Sequence, residues 1–114
     1  MQLPNVHSAV VSQEKIVGYL LNPKHPDGAG KAAIFASMGF RGDQWQELAN
    51  ALLTLAMSQP VSASLASPHG SKYIVDGAID TPSGRSVTVR TVWIVDHNSQ
   101  TPRLVTAYPR PQES

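Results

Sequence analysis

The sequence predicts an α+β domain, with about three N-terminal helices packed on one face of a meander of about four antiparallel strands. Three observations carry that prediction. Apolar residues recur at helical spacing as far as Pro60 and at a period near two beyond it. Helix caps and stops fall in the first half of the chain, and hairpin turns fall in the second. No repeat, low-complexity segment or compositional break divides the 114 residues, a length suited to one domain.

Residues 1–11 (MQLPNVHSAVV) read as an extended arm, because Pro4 and the valines favour extended backbone. The domain proper then runs over 12–109, and 110–114 form a frayed tail. Ser12 suits the N-cap of a first short helix, Glu14 its first turn, and Ile16, Tyr19 and Leu20 its apolar face. Pro23 ends that helix near Asn22. After the loop PKHPDGAG, a second helix is expected over Lys31 to Met38, with Gly39 at C′ and Phe40 folding back in a Schellman end. The third and clearest helix starts from a capping box of Asp43 and Gln46, buries Trp45, Leu48, Leu52, Leu55 and Ala56, and stops at Pro60.

Beyond Pro60, VSASLAS alternates weakly. SKYIVDGAIDT is a stronger strand, with Tyr73, Val75, Gly77 and Ile79 on one face. PSG turns the chain, with Ser83 and Gly84 at the tip, into RSVTVRTVWIVD, whose apolar centre marks an interior strand. RLVTAYP is the last strand. Trp45 and Trp93 are expected in the core, since base stacking would need them exposed.

Composition narrows the function classes. Hydrophobic residues make up 41% of the chain, which allows one core. Nine Lys and Arg against eight Asp and Glu leave a net charge of +1, so any nucleic-acid contact needs a local basic patch. With no cysteine, disulfides, thiolate chemistry and Cys-based zinc sites are excluded, and a cytoplasmic setting is the default expectation. His7, His25, His69 and His97 are scattered without metal-ligand spacing, so neither metal nor cofactor is expected. The start carries no basic n-region, and no apolar run approaches the roughly 20 residues of a membrane helix, so no membrane contact is expected.

The segment HPDGAGKAAIF superficially resembles a phosphate-binding loop. A nucleotide P-loop, however, needs a glycine where His25 stands and Ser or Thr where Ala32 follows Lys31. What survives is Lys31 at a helix start that favours anions, with His25 nearby in a constrained loop. One reading has Lys31 hold a phosphate while His25 moves protons near neutral pH. The other has His25 fix the loop by hydrogen bonding, with Lys31 solvated. SQEK at Ser12–Lys15 matches S-x-x-K of serine acyl enzymes, but the companion motifs are absent and the N-cap reading prevails.

Arg90 interrupts the apolar strand VTVRTVW, where a long cation must pair, snorkel or face a site. Thr106 and Tyr108 share a parity on the last strand. On one face with Arg90 they would form a polar patch able to bind phosphate, or else a solvated set of strand residues.

LPNVHSAVV, EKIVGYLLNPKHPDGAGKAAIFASMGF, VRTVWIV and PRLVTAYP together resemble the bacterial domain-of-unknown-function family numbered 6883, from about Leu3 to Pro109. The order of helices before an antiparallel meander is similar to the small ribonuclease-toxin superfamily of barnase, EndoU, the colicin tRNases and RelE-like toxins. That resemblance implies metal-independent cleavage of RNA by basic, His, Thr and Tyr residues on a sheet face. The matching kinds of residue are His25, Lys31, Arg90, Thr106 and Tyr108. The expected function is therefore a ribonuclease-like, toxin-type domain, in which His25 is general acid or base, Lys31 and Arg90 stabilise the phosphate, and Thr106 and Tyr108 orient the substrate. The alternative is a non-enzymatic module that binds a protein partner or forms a homodimer through a sheet edge.

Overall fold

A computed structural model describes residues 1–26 and 29–110. Helix α1 is Gln13–Lys15, continued by a π-helical turn over Ile16–Leu20; α2 is Ala29–Ser37 and α3 is Trp45–Ser58. Four strands follow, β1 Ala63–Ser67, β2 Gly70–Asp80, β3 Ser86–Asp96 and β4 Arg103–Pro109. They form one antiparallel sheet in the order β1-β2-β3-β4, so the α+β meander expected from the sequence is the observed fold.

Strand alternation sorts the sheet into two faces. Val75 and Ile79 of β2, and Val89, Thr91 and Trp93 of β3, are buried towards the helices. Ile16, Leu20, Phe35, Leu48, Leu52 and Leu55 meet them from the helical layer. Trp93, fully buried, donates its indole N–H to Thr91 Oγ1 at 2.8 Å, and Thr91 donates to the Val75 carbonyl at 2.7 Å. The buried indole and hydroxyl are thereby satisfied.

Helix α2 ends as its sequence indicates. Gly39 takes φ +95°, its N–H reaches the Ala36 carbonyl at 3.0 Å, and Phe40 N–H reaches the Phe35 carbonyl at 3.3 Å. The Phe35 and Phe40 rings meet edge to face, 6.3 Å apart, which supplies the apolar contact of a Schellman end.

The start of α3 differs from expectation. Gly42–Gln44 forms a 3-10 turn, the α-helix begins at Trp45, and no side chain caps it. Asp43 instead binds Arg41 at 2.7 Å, so the capping box with Gln46 does not form. Trp45 is half-buried, and Ala49 takes a place on the buried stripe. The first helix also differs, since Leu21 N–H bonds to Ile16 O, five residues back, and widens the turn that carries Tyr19.

The arm is extended only in part. Asn5 takes a left-handed conformation before a 3-10 turn over Val6–Ser8, and Leu3, Val6 and Val11 enter the core. Val10 then bridges to β4, donating its N–H to Pro102 O at 2.9 Å and accepting from Leu104 N–H at 3.1 Å. At the other end Arg110 is held by main-chain and side-chain bonds, while the expectation for 111–114 lies outside the described residues.

Two glycines carry defined loads. A Cβ on Gly39 would sit 3.0 Å from Pro82 Cβ, and one on Gly70, at φ +150°, would sit 2.2 Å from the Val95 carbonyl oxygen. Gly39→Ala is expected to cost about 1–2 kcal/mol and Gly70→Ala about 3 kcal/mol or more, since the second clash is with sheet backbone. Urea denaturation checks the order; equal losses would contradict it.

Candidate functional site

The site is assembled where the helical layer meets the edge strand β4. Pairing of β2 with β3 sets Asp76 opposite Arg90, and pairing of β3 with β4 sets Arg90 opposite Tyr108 and Val92 opposite Thr106. The register then shifts between Val92 and Trp93, leaving Val105 as an extra residue, so Trp93 pairs with Leu104. This bulge lets Leu104 face the core while Thr106 and Tyr108 keep the parity of Arg90.

The helical layer reaches that patch. Lys31, in the first turn of α2, donates from Nζ to Tyr19 OH and to Thr106 Oγ1, the latter at 3.1 Å. Tyr19 OH and Thr106 Oγ1 are themselves 3.3 Å apart. Lys31 Nζ also lies 4.9 Å from the Tyr19 ring centre and 5.9 Å from that of Tyr108, and Lys15 Nζ lies 5.1 Å from the Tyr19 ring. The His25 ring stands edge-on to Tyr19 at 4.8 Å. His25, Lys31, Thr106 and Tyr108 are thus brought together, with Tyr19 at their centre.

Arg90 occupies a different position. Its Nε and one terminal nitrogen grip both Asp76 oxygens, at 2.9 and 3.0 Å, and Arg110 adds a contact to Asp76 at 2.9 Å. Towards the others, Arg90 stands directly across the strand pair from Tyr108. These bonds hold its guanidinium firmly in the charged form, chiefly through Asp76. Lys31 differs in kind. It is half-buried, bonded to two neutral hydroxyls, and pairs with no carboxylate among the described residues. A desolvated cation without a counter-ion is the one that gains most from an incoming anion.

Tyr19 responds to these neighbours. Burial pushes its phenol up, but hydrogen bonds from Lys31 and Thr106, together with the charges of Lys31 and Lys15, outweigh this and leave the phenol below its ordinary value. The sequence placed Tyr19 on an apolar helical stripe and so missed it. Asp76 was also missed, although the short loop between β2 and β3 fixes which residue faces Arg90. A separate cleft, of about 260 Å3 between α3 and β2, has Asp80 as its one charged lining residue and so presents no cation to a phosphate. Among the described residues, no group of three His, Asp or Glu side chains could hold a metal ion. No helix there is long and apolar enough to cross a membrane.

Two measurements check these electrostatics. Tyr19 is expected to ionise below the ordinary phenol value in a spectrophotometric titration, and Lys31→Met to move it upward; an unmoved titration would contradict the contact. Asp76 is held below the usual carboxylate range, first by its hydrogen bonds from Arg90, against burial, and then by the charges of Arg90 and Arg110. A depressed carboxyl contributes stability above its unfolded pKa of about 4, and that contribution is lost as pH falls through the folded value. Asp76→Ala should therefore cost about 1–2 kcal/mol at neutral pH, allowing for solvent contact of both partners, and the difference from wild type should shrink on acidification. A difference independent of pH would show that Asp76 does not act through its charge.

Comparison with known proteins places this geometry. No curated protein sequence matches the chain. Among solved structures, the chain is similar to one from the contact-dependent growth inhibition toxin–immunity protein complex of Klebsiella pneumoniae 342, with a TM-score of 0.73 at 17% identity, covering 94% of this chain and 97% of that one. At that identity the likeness is one of fold. The model of the domain of unknown function DUF6883 matches residues 2–111, almost the whole chain, and the protein belongs to that family.

Proposed function

We propose that this domain is a metal-independent, ribonuclease-like domain of toxin type, acting on RNA phosphodiesters at the Lys31 site. One observation carries the reading: Lys31 stands half-buried among hydroxyls with no carboxylate partner among the described residues, next to the proton-carrying side chains of Tyr19 and His25. The solved chain of similar fold comes from a toxin–immunity complex, which supports the toxin-type assignment. The residues implied by the ribonuclease-toxin resemblance also gather here, with Arg90 acting from behind Tyr108.

In the proposed reaction His25 takes the proton of the ribose 2′-hydroxyl. The 2′-oxygen bonds to phosphorus, and the bond from phosphorus to the 5′-oxygen breaks. Tyr19 gives its proton to that leaving oxygen, and water restores both groups. The products are a 2′,3′-cyclic phosphate and a 5′-hydroxyl. Lys31 stabilises the charge that builds on the pentacoordinate phosphorus, and its hydrogen bond stabilises the Tyr19 phenolate. Thr106 and Tyr108 orient the phosphate, and Arg90, tied to Asp76, holds Tyr108 in place. With a net charge of only +1, affinity rests on this cluster and not on a general basic surface.

A second reading has its own observation. β1 is an edge strand whose residues Ala63–Ala66 are all exposed, with Leu65 58% exposed, so it can pair with a strand of another chain. That would suit a non-enzymatic partner-binding or dimerising module.

Incubation with tRNA and total RNA in the presence of a chelator separates the two. The wild type should cleave, and His25→Ala, Lys31→Ala and Tyr19→Phe should each slow cleavage by about 100-fold or more while keeping the wild-type circular dichroism. Intact RNA, or equal digestion by wild type and His25→Ala, would overturn the enzymatic reading. Intact RNA together with a dimer in sedimentation would favour the module.

A further inference from the structure

We infer that β1 is a self-pairing edge, where a second copy of this chain adds its own β1 antiparallel and extends the sheet across both molecules. The inference takes the open edge of the second reading and names its occupant. It does not require an inactive chain, because β1 and the strand that carries Thr106 lie at opposite edges of the sheet.

The two edges of the sheet are built differently. β4 carries the devices that keep a free edge from pairing. It bulges at Val105, begins with the charged Arg103 and ends at Pro109. Val10 occupies its outer side, bonded to Pro102 O and to Leu104 N–H. β1 has none of these features. Its five residues, Ala63–Ser67, hold no charge, proline or bulge and pair with β2 in unbroken register. Pro60 and Pro68 flank the strand without entering it. Ala63 to Ala66 alternate between the two faces, yet all four are exposed, with Leu65 the one large apolar side chain among them.

Charge selects the second copy as occupant. Across a two-fold axis, each charge in the contact is brought towards its own like, so a charged edge resists its copy and favours a partner of opposite sign. Residues 48–71 contain no Lys, Arg, Asp or Glu, and β1 lies inside that run. The edge has no charge to attract a foreign chain and none to repel its own. The flanking cation Lys72 sits across β2 from Leu65. In the joined sheet, Lys72 and its copy stand three strand spacings apart, about 14 Å, beyond the screening length of about 10 Å at 0.1 M salt.

The strand also matches itself in size. With Leu65 on the axis, Leu65 meets its twin, Ser64 meets Ala66, and Ala63 meets Ser67. The one large side chain packs on its copy, and every flanking pair is small. Five paired residues make a small contact, so the dimer is weak and reversible, with a dissociation constant on the order of 100 μM.

Sedimentation equilibrium of the full chain over about 10–500 μM tests this, with Leu65→Lys and Leu65→Cys alongside. The wild type should pass from monomer to dimer in that range, with a midpoint that does not move between low salt and about 0.5 M salt. Leu65→Lys should weaken association about tenfold or more while keeping the wild-type circular dichroism. The chain has no cysteine, so Leu65→Cys reports a single place. Mild oxidation should link it into a dimer well ahead of the exposed control Ser86→Cys. A monomer throughout, a dimer that dissolves in salt, a dimer indifferent to Leu65→Lys, or linkage no faster than the control would overturn self-pairing. RNA cleavage is followed on the same samples, and Leu65→Lys should match the wild type. A monomer that cleaves RNA would overturn the pairing alone. A dimer broken by Leu65→Lys, with RNA left intact, would uphold the pairing and remove the nuclease reading.

Discussion

The pairing of β2 with β3 is the constraint on which the remainder of the molecule depends. Eleven cross-strand pairs, from Gly70 with Asp96 to Asp80 with Ser86, share one register. A slip of one residue would turn Arg90 into the core and Trp93 out of it. The bonds from Trp93 to Thr91 and from Thr91 to the Val75 carbonyl pin the phase from inside. The grip of Asp76 on Arg90 pins it from the other face. Once this ladder is set, β4 can take only positions that bring Tyr108 beside Arg90 and Thr106 beside Val92.

The two cations of the site have opposite fates because of that ladder. Arg90 has a carboxylate directly across the strand, and the planar fork of a guanidinium suits a two-point grip. Its charge is largely spent within the sheet. Lys31 arrives from another layer and, among the described residues, finds the hydroxyls of Tyr19 and Thr106 and the faces of aromatic rings in place of a carboxylate. Neutral oxygens solvate an ammonium without cancelling it. The field at the β4 edge is therefore set by Lys31, with Lys15 close behind on the same aromatic ring.

Much of this was legible in the sequence where local chemistry decides the outcome. Gly39 and Phe40 announced the end of α2, because a left-handed residue followed by an apolar one has few other uses. The shared parity of Arg90, Thr106 and Tyr108 was legible because strands alternate. The start of α3 was not, since Arg41 competes for Asp43 and a 3-10 turn precedes the helix. Tyr19 was read as a core residue because its ring fits an apolar stripe, while its hydroxyl makes the contact that matters. The partnership of Asp76 and Arg90 needed the strand register, and the Val105 bulge leaves no mark in a pattern of alternating residues.

Lys31 and Thr106 are 75 positions apart, and the strand carrying Thr106 follows β1, β2 and β3 in the chain. During translation the ammonium and the imidazole exist long before the hydroxyls that organise them. The cluster closes only when the chain as far as Tyr108 has cleared the ribosomal tunnel and β4 has zipped onto β3. A nascent chain that has not yet reached Tyr108 thus has the cation without the hydroxyl of Thr106 that, with Tyr19, receives its hydrogen bonds.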